Sequence, residues 1–216
     1  GGQRLDMLGV KKEDLAPMWK DLSDAGFVSG QAYAKGLRTV KTCVGNQWCR
    51  FGTQDAMQMG IDIEKLTWGS WTPHKFKIAV SGCPRNCAEA TIKDIGVIGV
   101  DSGWEIHFAG NGGIKVRVTD FLTKVETDEE LFEYIKALMQ FYREDAYYLE
   151  RTAHWVERVG IEYVKEAIVK DDKRRLYYAG RFEESQKYAQ VDPWKKSIDS
   201  GFTKEFQPIK LERERV

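Results

Sequence analysis

Apolar residues at steps of three and four mark the first element of this chain. Leu15, Met18, Trp19 and Leu22 form the stripe of an amphipathic helix over 12–25, which Gly26 ends. Ahead of it, residues 3–10 alternate as a strand does. Residues 28–36 are small and polar and read as a linker. Residues 37–42 suit a short strand that delivers Cys43, and 53–66 a helix with Thr53 as its N-cap. Met57 and Met59 within it are read as packing. Lysine alternates with β-favouring residues over 75–80, a compact strand. Pro84 tolerates a first helical position, so a helix is predicted from Pro84 to about Lys93.

Three apolar runs follow, 95–100, 104–109 and 114–118, separated by Asp101-Ser-Gly103 and by Gly110-Asn-Gly-Gly113. That spacing predicts an antiparallel meander. Thr127-Asp-Glu-Glu130 is a capping box opening a helix to about Leu149, with Leu131, Ile135, Leu138 and Tyr142 on one face. Shorter helices are expected over 152–158 and 161–169, broken at Gly160. Beyond Asp171 the sequence is charged and aromatic without periodicity. It reads as an extended tail that packs around Asp192-Pro-Trp194. No internal repeat is visible. The expectation is an α+β fold, a mostly antiparallel sheet with helices packed on one side.

Composition narrows the setting. The 216 residues carry 33 basic and 33 acidic side chains, so no bulk charge draws the chain to nucleic acid or a membrane surface. No apolar run approaches the roughly 20 residues of a bilayer span. The four cysteines are too few for a secreted disulfide scaffold, and reduced thiols fit a cytoplasmic setting. The first residues, without an initiator methionine and inside a strand pattern, read as the interior of a longer chain.

The chemistry is concentrated in Cys43-Val-Gly-Asn-Gln-Trp-Cys49 and Cys83-Pro-Arg-Asn-Cys87. Soft sulfur ligands suit zinc or iron, but zinc pairs usually leave two residues between cysteines, and neither pair does. Four buried structural cysteines are the plainer alternative. Lys75 and Lys77, two apart on a strand, project from one face, which is either a solvated edge or a wall for an anion. The Gly-rich turn with Asn111 and Gly112 is either a hairpin loop or a close approach to a cofactor. His74, His107 and His154 form no ligand spacing. No Gly-x-Gly-x-x-Gly follows a strand.

Thr42-Cys43-x5-Cys49, followed by Pro73-His-Lys-Phe-Lys77-Ile-Ala-Val-Ser-Gly-Cys83-Pro-Arg-Asn-Cys87, resembles the signature of the sirohaem-containing nitrite and sulfite reductases. The resemblance implies that Cys43, Cys49, Cys83 and Cys87 hold a 4Fe-4S cluster and that Cys87 also ligates the sirohaem iron. It implies that Arg38, Lys75 and Lys77 contact the anion. Arg4, Lys41, Arg50 and Arg85 are candidates for the carboxylates of sirohaem, with Asn111 and Gly112 lining the macrocycle. On this reading residues 1–27 close a ferredoxin-like half-domain, 28–36 link it, 37–170 form the sirohaem and cluster domain, and 171–216 are a C-terminal tail.

The helical end, from Trp155 to Glu166, and the Asp-Pro-Trp tail resemble the large subunit of assimilatory NAD(P)H nitrite reductases. The implied activity is six-electron reduction of nitrite to ammonia, with FAD and NAD(P)H bound by upstream domains. Sulfite reduction by the same cofactors is the alternative, and a non-catalytic iron–sulfur electron-transfer module is an alternative of another class. Implied partners are a small nitrite reductase subunit and a second copy of this chain. In relatives with two fused modules, the cysteines come from one module and the anion-binding Arg and Lys from the other. One unrepeated chain carrying both sets implies a homodimer with the site shared between chains.

Overall fold

The computed structural model describes residues 5–30 and 34–199. Arg4 therefore lies outside the described residues. The chain divides into two compact units. The smaller combines 5–29 with 191–199 and contains α1 (Leu15–Asp24) and α8 (Pro193–Asp199). Trp19 and Trp194 stack there with ring centroids 6.3 Å apart, and the Ser29 amide donates to the Asp192 carboxylate at 3.5 Å. Asp192-Pro-Trp194 thus packs, but at the start of a helix rather than in an extended tail. Residues 5–10, by contrast, form no strand.

The larger unit spans 30–190 and is built on a five-stranded sheet in the order β1-β2-β3-β4-β7. Its strands are β1 (Lys41–Thr42), β2 (Ile78–Ser81), β3 (Ile95–Val100), β4 (Gly103–Phe108) and β7 (Asp120–Val125). The β3–β4 and β4–β7 pairs are antiparallel and hold most of the paired positions. The β1–β2 and β2–β3 pairs are parallel. Parallel strands need a crossover between them. Residues 43–77, with α2 (Gly45–Trp48) and α3 (Ala56–Thr67), make one crossover, and residues 82–94 make the other. The buried runs Ile-Ala-Val-Ser and Ile-Gly-Val-Ile-Gly-Val follow from strands covered on both faces.

Strand alternation divides the sheet into two faces. Ile78, Val80, Ile95, Val97, Trp104, Ile106 and Phe108 join the main core with Ala56, Met59 and Ile63 of α3 and Leu131, Ile135, Leu138 and Tyr142 of α4 (Asp128–Asp145). On the opposite face Ala79 and Ile98 form a small cluster with Ala88 and Ala90 of the second crossover, beside Cys43. The regular helices therefore lie on one side, as expected for the α+β class. Thr127 and Glu130 form the capping box, and α5 (Thr152–Val159) and α6 (Ile161–Ile168) meet at Gly160, whose φ is +83°.

Further elements differ from the sequence reading. Asp55, not Thr53, caps α3 by accepting the Gln58 amide, and the Thr53 hydroxyl donates instead to Gly82 O at 2.8 Å. Pro84 opens no helix. Asn86 and Glu89 adopt φ of +56° and +59°, and the Asn86 carboxamide accepts the Ala90 amide at 2.6 Å, so side-chain bonding replaces the helical ladder. The third strand of the meander is β7. Residues 111–117 form a separate ribbon of β5 (Asn111–Gly112) and β6 (Val116–Arg117).

Residues 172–189 are not extended but form α7 (Asp172–Ala189), packed along α4. Only Tyr178, Ala179, Phe182 and Gln186 are buried on it, too narrow a stripe for periodicity to reveal. The rest of the contact is charged: Arg175–Glu133 and Arg181–Glu144 at 2.6 Å each, Lys136–Glu183, and Arg143 donating to Ser185 Oγ at 2.9 Å over the Phe182 ring. Phe182 is fully buried. Phe182→Ala is expected to cost about 3–5 kcal/mol, read as a lower urea midpoint. An unchanged midpoint would make α7 an accessory rather than part of the fold.

Candidate functional site

The two parallel pairings decide where the cysteines go. Cys43 follows the last residue of β1, and Cys83 lies two beyond the end of β2, so both emerge at the carboxyl ends of neighbouring strands. Ligand sites of parallel sheets form at that edge. The segments are then laced together. The Gly82 amide donates to Cys43 Sγ at 3.1 Å, and the Cys43 amide donates to Val80 O at 3.2 Å. Gly82 O accepts from the Thr53 and Gln54 amides at 2.8 and 3.0 Å.

Such closeness requires glycine. A Cβ at Gly82 would stand 2.7 Å from Gln54 O and 3.0 Å from Gly45 Cα, and Gly45 has φ +65°. Cys49 ends α2, with its amide on Gly45 O at 3.0 Å. A third link is aromatic. The Arg50 and Arg85 guanidiniums, one from each cysteine segment, lie 4.6 and 3.9 Å from the centroid of the Phe51 ring.

All four cysteines are free thiols: Cys83 is buried, Cys43 and Cys49 are half-buried and Cys87 is exposed. Among the described residues no three His, Cys, Asp or Glu side chains gather around one metal-ion position. A four-iron cluster spreads its ligands around a cube and asks for less convergence. Free thiols, an N–H···S bond and flanking guanidiniums fit an anionic thiolate cluster.

The lysines occupy the sheet face opposite the helices. Lys75 and Lys77 alternate with core residues Phe76 and Ile78 and so share the face of Ala79 and Ser81. Arg38 joins them at the sheet edge: Leu37 bridges Phe76, and the Arg38 amide donates to Phe76 O at 2.8 Å. Lys41 pairs in register with Ala79, and its ammonium reaches Glu89 at 2.9 Å. Lys93 reaches the same carboxylate at 3.1 Å. Hydrogen bonds from these two ammoniums hold Glu89 down at about 2. Partial desolvation, then the charges of Lys75, Lys93 and Arg151, push Lys77 below the ordinary lysine range. From Lys77 to Ser81 the strand runs roughly 13 Å, about 3.3 Å per residue. One face thus carries cysteines at one end and cations at the other.

The ribbon of β5 and β6 lies beside the second crossover, since a Cβ at Gly110 would meet Lys93 O at 2.6 Å and one at Gly112 would meet Ile92 Cδ1 at 3.0 Å. Asn111 closes its own ribbon by donating to Lys115 O at 2.7 Å. Sequence reasoning missed Lys93, Glu89, Asp94 and Arg151. Asp94 had a visible signal, a lone acid between Ile92 and the apolar run of β3. Arg151 had none.

Residues 33–176 match the family model described as the nitrite and sulphite reductase 4Fe-4S domain. The chain belongs to this family. It is 54% identical over 94% of its length to the nitrite reductase [NAD(P)H] of Bacillus subtilis, of which it spans a quarter (25%). It is 36% identical over 78% of its length to the assimilatory-type sulfite reductase of Nitratidesulfovibrio vulgaris, covering 76% of that protein. Among solved structures, dissimilatory sulfite reductase I aligns over 86% of this chain and 60% of its own, with TM-score 0.63 and 14% identity, a likeness of fold. No helix among the described residues is long and apolar enough to cross a membrane.

Gly82→Ala is expected to destabilise the fold by about 1–3 kcal/mol through overpacking against backbone. Gly113→Ala, which meets only the Asn111 side chain at 3.3 Å, serves as the control with a nearly unchanged urea midpoint. Equal midpoints for the two variants would show that the lacing at Gly82 contributes nothing.

Proposed function

We propose that this chain is the catalytic portion of an assimilatory nitrite reductase, with Cys43, Cys49, Cys83 and Cys87 holding a 4Fe-4S cluster and Cys87 also facing the iron of a sirohaem. The observation that carries the reading is the single sheet face that holds both cysteine segments at one end and the Lys75/Lys77 strand at the other. When bound, the cofactor pair supplies the electron relay and the metal that binds the nitrogen of nitrite. Each nitrite takes up six electrons and eight protons and yields ammonium and two waters. NAD(P)H is the electron source, through flavin-bearing parts outside this chain.

The chain's own residues bind and polarise. Arg38, Lys75 and Lys77 compensate the charge of the anion and offer hydrogens to its oxygens. Lys41, Arg50, Arg85 and Lys93 supply positive charge for the carboxylates of the macrocycle, whose edge meets the ribbon at Asn111 and Gly112. Nitrite is favoured by the 54% identity to a nitrite reductase. The sulfite reading has one observation of its own, the relative of similar length whose printed activity is sulfite reduction.

Because cysteines and cations sit at opposite ends of one face, two such faces related by a twofold axis bring Cys87 of one chain opposite Lys75 and Lys77 of the other. We therefore place the cofactor between two copies of this chain, an isologous pairing.

The cofactor-loaded protein is expected to show a sharp Soret-type band above broad iron–sulfur absorbance and to consume nitrite faster than sulfite with a reduced dye. Lys75→Ala/Lys77→Ala should lower nitrite turnover by about 10²- to 10³-fold. A mixture of Cys87→Ser chains with Lys75→Ala/Lys77→Ala chains should recover activity that neither has alone. A broad spectrum without the sharp band would leave an electron carrier, and faster sulfite turnover would reverse the substrate. A mixture without recovery would remove the shared site.

A further inference from the structure

Asp94 is an ionisable side chain with no solvent exposure. Burying a carboxylate is costly unless donors surround it. Its Oδ2 accepts the backbone amide of Lys77 at 2.8 Å and Arg151 Nη2 at 3.1 Å, and its Oδ1 accepts the same Nη2 at 3.2 Å and the Thr152 hydroxyl. Its own carbonyl accepts the Ala109 amide at 2.9 Å. One residue thus joins the strand of Lys77, the end of β4 and the start of α5. Burial raises the pKa of Asp94, while Arg151, Thr152 and the Lys77 amide oppose that rise. An acceptor-only carboxylate matches this set of donors.

Arg151 is bound lopsidedly. One terminal nitrogen reaches Asp94, and Nε is buried without a hydrogen-bond partner among the described residues. Its charge is felt by Lys77 and by His74, whose pKa desolvation and then Arg151 and Lys75 depress. The charged groups facing Lys77 are Lys75 on its own strand, Lys93 and Asp94 from the second crossover and Arg151 from the start of α5, with Arg38 on the neighbouring edge. Asp94 is the buried acid among them, and the exposed Glu89 pairs with Lys93 and Lys41.

We infer that Asp94 and Arg151 are a positioning pair for the anion-binding strand. Asp94 pins Lys77 through its backbone and cancels the guanidinium behind it, so the wall presents its lysines without the repulsion of a further uncompensated cation. This inference rests on the reading that an anion sits against Lys75 and Lys77.

The test uses Asp94→Asn, Thr152→Val and the charge-neutral Asp94→Asn/Arg151→Met in the full-length reductase. Two readouts are followed against pH: KM and kcat for nitrite, and the ¹³C titration of the Lys77 methylene next to Nζ without substrate. In Asp94→Asn the uncompensated guanidinium should tighten nitrite at neutral pH, lowering KM by about two- to fivefold. Lys77 should then lose its proton at lower pH than in the parent, so nitrite affinity fails earlier on the alkaline side. Thr152→Val should lose stability with neither shift, and the double variant should return Lys77 towards the parent midpoint. A folded Asp94→Asn protein with parent-like Lys77 titration and KM profile would overturn the pair. If Asp94→Asn does not fold, a double variant whose Lys77 midpoint stays away from the parent value would do the same. A parent enzyme without nitrite turnover would overturn the functional reading alone, because the Lys77 titration is read without nitrite.

Discussion

Parallel pairing of β1 with β2 is the constraint on which the site depends. Had Lys41 and Thr42 run antiparallel to Ala79 and Val80, Cys43 and Cys83 would leave the sheet at opposite ends. Running together, they place Cys43 Sγ within reach of the Gly82 amide, and the carbonyl of that glycine gathers the loop that follows Cys49. The remaining features serve this edge. α3 and α4 cover the far face of the strands, and Gly96 leaves room for the second crossover to lie on the near face, since a Cβ there would stand 2.3 Å from Ala90 O.

Electrostatics complete the arrangement locally rather than globally. The chain is neutral overall, yet Arg38, Lys41, Lys75, Lys77, Lys93 and Arg151 are gathered around one face and its margin, with Glu89 and Asp94 between them. The two acids differ in kind. Glu89 is exposed and joined to two ammoniums, and exposed pairs are worth roughly 0.2–1 kcal/mol. Asp94 is sealed and tied to backbone, so it sets geometry as well as charge.

Much of this was legible before any coordinates. The stripe of Leu131, Ile135, Leu138 and Tyr142, the Thr127 capping box and the break at Gly160 each rest on local rules, and each is found as read, although α4 ends at Asp145 rather than near Leu149. The cysteine motifs named the family, which the match over 33–176 bears out. What failed depended on distant partners. Pro84 has a local helix signal, but Asn86 and Ser81 offer the loop amides better partners. Nothing local tells a parallel pair from an antiparallel one, so the parallel pairings of β1 with β2 and of β2 with β3 had no signal in the sequence. The charged surface of α7 finds its partners on α4, some forty residues away in sequence, and no window of local periodicity contains them.

The central claim is that the two cysteine segments form one cage for an iron–sulfur cluster. Iron and acid-labile sulfide, measured on anaerobically prepared protein and on its Cys43→Ser and Cys83→Ser variants, test it most directly. The account predicts about four iron and about four sulfide per chain in the parent, with marked loss in both variants. A parent that holds one zinc and no sulfide, or a cluster that survives the loss of either segment's cysteine, would contradict it.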